Sequence, residues 1–110
     1  MSYTEHPVYQ SETLTVHNPV EWMKTAPFEE IKDNLCYVLC SLNGEDFGRT
    51  LLAWQGRIDA EEPGFQRLLN AWAENGGARD SMGHTYPTSP DTERATELLK
   101  AAYDKDQKHD

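Results

Sequence analysis

Residues 25–44 read TAPFEEIKDNLCYVLCSLNG, and this stretch decides the fold class. Thr25-Ala26-Pro27 ahead of Glu29 and Glu30 predicts a helix start. Proline fits the first helical position, where its missing N–H costs nothing, and carboxylates in the first turn answer the positive end of the macrodipole. Phe28, Ile31, Leu35, Val38, Leu39 and Leu42 then recur at spacings of three and four, which is one face of a helix. Asn43-Gly44 stops it, since both residue types tolerate the left-handed backbone that closes helices. The spacing predicts a helix over 27–42.

The same reading extends outward. Asp46 predicts the cap of a second helix with an apolar stripe of Phe47, Leu51, Trp54 and Ile58. Gly48 and Gly56 interrupt it, each at a cost of about 1 kcal/mol relative to alanine. Pro63 opens a third helix carrying Phe65, Leu68, Leu69 and Trp72, which Asn75-Gly76-Gly77 ends. Ser89-Pro90-Asp91 starts a fourth with Ala95, Leu98, Leu99, Ala102 and Tyr103. Four amphipathic segments predict a mostly α chain, a small four-helix bundle-like domain over 25–104. Residues 1–24 lack a helical period. Ser11–His17 alternates polar with apolar and Asn18-Pro19 breaks the pattern, so this part reads as an extended arm or short strand. Residues 105–110 read as a polar tail that frays, and Gly76–Ser89 as a long loop without a pattern of its own.

Composition sets limits on this picture. Leu, Ile, Val and Phe make up only 19 of the 110 residues, and the net charge is −9, a combination shared with disordered chains. Three Trp, five Tyr and the helical stripes argue for a folded domain with a thin core. The length leaves no room for a dinucleotide-binding sheet or a large barrel. The longest apolar run, Leu35–Cys40, is six residues, against the ~18–20 needed to span a bilayer. Met1–Pro7 has no basic start and no apolar segment after it, so no secretory signal is expected. These features predict a cytoplasmic protein (in the host cytoplasm, if the source is viral) with no membrane contact and no cofactor. Negative charge disfavours direct nucleic-acid binding and favours a protein partner with a basic surface.

Several groups are candidates for chemistry or contact. Cys36 and Cys40 stand at i and i+4 beside Tyr37 and off the main apolar stripe. No nearby His or Cys completes a zinc set, so no metal is expected and the thiols read as small hydrophobes widening a buried face. That makes Leu35–Cys40 apolar nearly all round, which predicts a central helix or one covered by a partner chain, including a second copy. Gly48, Leu52 and Gly56 line the face opposite the second stripe, where another backbone can approach and Leu52 can anchor it. Arg79, Asp80, Ser81 and His84 collect in the long loop. His84 there is a possible acid or base, with Asp80 to orient it and Arg79 to hold an anion, but no catalytic signature accompanies them. Glu29/Glu30, Glu45/Asp46 and Glu61/Glu62 each precede or begin a predicted helix, and their gathering at one end of the bundle would present a negative surface.

The reading these residues favour is a non-enzymatic acidic interaction module, an inhibitor or adaptor. Tyr37, Leu52 and Trp54 would anchor it, and the three acidic pairs would meet basic groups. Phage-type inhibitors of CRISPR or restriction complexes are comparable in composition only, with no matching residue. A small enzyme using His84 and a self-associating structural subunit are the alternatives.

Overall fold

The computed structural model describes residues 18–79 and 89–108. Five helices form among them: α1 Pro19–Thr25, α2 Phe28–Cys40, α3 Gly44–Asp59, α4 Phe65–Glu74 and α5 Pro90–Gln107. The mostly α class expected from the stripes is what the chain adopts, with no strand among the described residues. The expected strand over 11–17 lies outside them.

α1 occupies part of the segment expected to be extended. Asn18-Pro19, read as a break, is instead a start: Asn18 Oδ1 accepts the Glu21 N–H at 3.1 Å and Pro19 takes the first position. The helix is held by tertiary burial, with Trp22 and Met23 in the core and α1 packed on α3. Seven residues are too few to show a period, which is why the sequence pattern is silent there.

α3 begins earlier than Asp46. Asn43 Oδ1 accepts the Asp46 N–H at 2.8 Å, so the residue read as the stop of α2 is the cap of α3. α4 begins after Pro63, at Phe65, with Gly64 in the left-handed region at φ 92°. Phe28 explains the glycine, because its ring carbons stand 2.8–3.0 Å from where a Cβ would lie. α5 starts as expected, Ser89 Oγ accepting the Thr92 N–H at 3.1 Å. It continues to Gln107, so the first residues of the expected tail are helical.

The hub of the fold is α3. It packs against α1, α4 and α5, and Phe47, Leu51 and Trp54 are wholly buried on it. α3 and α5 start at the same end, where Thr92 Oγ1 donates to the Gly44 carbonyl at 2.7 Å and Ser89 Oγ to the same oxygen at 3.2 Å. Two helix N-termini side by side bring like ends of two macrodipoles together. Glu45, Asp46, Asp91 and Glu93 in the two first turns offset this. Arg49 links three of those carboxylates, at 2.9 Å from Glu45, 3.2 Å from Asp46 and 3.7 Å from Asp91.

The other end of α3 is closed by Arg57. Its guanidinium donates to both oxygens of Glu62 at 2.6 Å and to the carbonyls of Met23 and Ala26 at 2.8 and 3.1 Å. It also lies 4.4 Å over the Phe65 ring. One side chain thereby fastens the end of α1, the end of α3 and the start of α4.

Candidate interaction surface

The inward face of α2 is Ile31, Leu35, Val38 and Leu39, all buried. With a period of 3.6 residues, the residues left facing outward are Glu29, Lys32, Asp33, Cys36, Tyr37 and Cys40, and all six are exposed. Tyr37 is 49% exposed, ahead of Leu98 on α5 at 39%. Asp33 stands one turn before it and Glu29 two turns before it, with Lys32 3.3 Å from Glu29. The outer face of α2 is therefore a stripe with Glu29, Asp33 and the Glu29-paired Lys32 at its N-terminal half and an aromatic ring and two thiols at its C-terminal half.

This arrangement corrects the expectation that Cys36 and Cys40 widen a buried face. Both are exposed, and their sulfurs stand 4.0 Å apart. The partial burial of Cys36 and the nearby Cys40 sulfur hold its thiol pKa above the usual value, so the proton is retained at neutral pH. The surrounded helix is α3, not α2. Among the described residues no three His, Cys, Asp or Glu side chains gather as a metal-binding group.

Trp54 is fully buried and stacks edge-on against Trp72, ring centroids 5.3 Å apart. It is a core residue and offers no surface anchor. Leu52 is half-buried and packed against the core. Gly48 beside it does meet another backbone, but that backbone is α5 of the same chain: a Cβ there would fall 2.6 Å from the Asp91 carbonyl carbon and against the Thr92 nitrogen. Gly56 has open space around it, so the small-residue stripe does not form a continuous contact face.

The three acidic pairs do not gather at one end. Glu45 and Asp46 belong to the end where α3 and α5 begin, held by Arg49. Glu29, Glu30, Glu61 and Glu62 belong to the other, and two of these are engaged internally. Glu30 Oε2 accepts the Trp22 indole N–H at 2.6 Å, and Glu62 is bound to Arg57. Glu61 and Glu62 also do not start a helix; they follow the C-terminus of α3. Near the Tyr37 stripe both Glu29 and Asp33 face solvent, Glu29 in an exposed pair with Lys32. Asp33 was not singled out by pair counting, although its place one turn before Tyr37 was visible in the sequence.

Of the loop candidates, Arg79 is described and exposed. Asp80, Ser81 and His84 lie outside the described residues. Two open grooves flank α5. One of about 480 Å³ runs between Ile58, Gln66 and Leu98, and one of about 450 Å³ between Trp72, Arg79 and Tyr103. No described helix is long and apolar enough to cross a membrane. Comparison with protein-family models, with curated proteins and with solved structures gave no match to this chain.

Proposed function

We propose that the protein is a non-enzymatic interaction module, an adaptor or inhibitor, that binds a basic surface of a protein partner through the outer face of α2. The observation that carries this reading is the exposed Tyr37 with Asp33 one turn and Glu29 two turns ahead of it on the same face. A tyrosine supplies apolar area and a polar tip at low entropic cost, which suits the centre of an interface. The carboxylates steer a cationic partner and set its orientation. Scattered acids elsewhere on the chain, net −9 in all, add long-range attraction that salt screens.

The test is capture of partners from the native source with wild-type protein, with Tyr37→Ala and with Asp33→Lys. Glu97→Lys, on the exposed side of α5, serves as the control for net charge. A basic protein bound at low salt and weakened by high salt is expected. Both α2 variants should reduce its binding by about tenfold or more, and the control should change it far less. A partner retained equally by both α2 variants would contradict the assignment of this face.

A further inference from the structure

We infer that the groove between α4 and α5 binds a small organic anion, a carboxylate carried on an aromatic or bulky apolar body. The groove measures about 450 Å³, within the range of small-molecule sites. Its apolar lining includes Leu69 and Leu99, both buried in the core, and Trp72 and Tyr103, both half-buried. Arg79 and Lys100 supply the charge, and no carboxylate among the described residues lines it. On a chain with a net charge of −9, that is a local reversal of sign. The second groove beside α5 keeps the character of the rest of the surface, with Asp59, Glu61 and Asp106 in its lining against Lys105.

The polar groups of the first groove are donors that lack acceptors. Trp22 and Trp54 give their indole N–H groups to Glu30 and to the Phe65 carbonyl, whereas that of Trp72 meets no acceptor among the described residues. Arg49 and Arg57 are bound to carboxylates, whereas Arg79 pairs with none among the described residues. Lys100 has Asp104 at 3.9 Å, an exposed and loose pair that contributes little. Arg79 is not needed to close α4 either, because the Asn75, Gly76 and Gly77 N–H groups meet the carbonyls of Ala71, Ala73 and Trp72. Its stem lies back along that helix end, 3.5 Å from where a Cβ on Gly76 would stand. A carboxylate on an apolar body answers both halves of this lining. The body covers the rings and the aliphatic floor, and the carboxylate takes the guanidinium fork. A bare inorganic anion would leave the apolar half wet, and a neutral aromatic would leave the cations unanswered. The groove shares no residue with the outer face of α2, so it stands independently of the partner reading.

The experiment is a titration of the isotope-labelled full chain with naphthylacetate at low salt, followed by two-dimensional amide NMR. The Trp72 indole signal is assigned by its loss in Trp72→Phe, and that of Trp22 serves as the reference. A saturable shift of the Trp72 signal is expected, half-complete at about 1 mM or below, with the Trp22 signal unmoved. The neutral amide of the same compound should bind about tenfold more weakly or worse. Arg79→Gln should weaken naphthylacetate binding by about tenfold and Lys100→Gln by about threefold. Both side chains are exposed, so circular dichroism of the two variants should match the wild type. Arg94→Gln removes an exposed cation of α5 that does not line the groove and should leave binding unchanged. No saturable shift, equal binding of the neutral amide, or undiminished binding in folded Arg79→Gln would overturn the inference. So would a loss in Arg94→Gln as large as that in Arg79→Gln, since the effect would then be one of net charge.

Discussion

Glu61 occupies a position where helix ends usually carry glycine. Its φ is 59°, and the chain around it closes α3 with the two bonds of a Schellman motif. The Glu61 N–H donates to the Ile58 carbonyl at 2.9 Å and the Glu62 N–H to the Arg57 carbonyl at 3.2 Å. α4 ends on the same pattern with Gly76 in the equivalent place. The sequence announces that second terminus through Asn75-Gly76-Gly77 and conceals the first, because a glutamate before Pro63 resembles the acidic lead-in to a helix. The strain at Glu61 sets Glu62 beside Arg57, where an ion pair takes the place of the hydrophobic contact common in this motif. Replacing Glu61 by glycine is expected to raise stability by about 1 kcal/mol, read as a higher urea midpoint at unchanged slope. Arg57→Met is expected to lower it by about 2–3 kcal/mol. Glu62 is 39% exposed, so the pair itself contributes modestly. Most of that loss comes from the Met23 and Ala26 carbonyls left without a charged donor.

At the scale of elements, the apolar stripes mark much of the core of α3, α4 and α5: Phe47, Leu51, Phe65, Leu69, Ala95 and Leu99 are buried, whereas Leu98, on the same α5 stripe, is exposed at 39%. What the stripes could not rank was centrality. The run Leu35–Cys40 is more apolar than any part of α3, yet α3 is the hub because its glycine admits another helix. At Gly48 the α5 backbone comes within contact distance of the helix axis side, and no apolar count registers that. The two glycines of α3 therefore have opposite roles. Gly48→Ala should cost about 1–3 kcal/mol, since the clash is with main-chain atoms of Asp91 and Thr92 that cannot rotate away. Gly56→Ala meets nothing within 4 Å and should stabilise by about 0.5–1 kcal/mol through helix propensity and a less free unfolded chain. Thermal unfolding of the pair checks the contrast. α1 escaped the sequence reading for a different reason: Asn-Pro marks both a break and a capped start, and only the burial of Trp22 and Met23 decides between them.

For the whole molecule, the scarcity of large aliphatic residues and the charge of −9 describe a thin core and a coat of carboxylates. Much of that coat is structural. Glu45, Asp46 and Asp91 hold two adjacent helix starts through Arg49, Glu62 anchors Arg57, and Glu30 satisfies the Trp22 indole. Subtracting these leaves the outer face of α2 as the place where charge, an exposed aromatic ring and two exposed thiols coincide. Its residues were legible one by one in the sequence. Their common exposure was not, because the same pattern fits a helix buried on every side.

The most direct measurement is maleimide labelling of Cys36 and Cys40, read by mass spectrometry, in the isolated protein and in its complex with a captured basic partner. A metal chelator is present in both samples. With the α2 face buried under the partner, both thiols label fully in the free protein and are protected in the complex. Equal labelling in the two samples would show that the partner binds elsewhere and contradict the account.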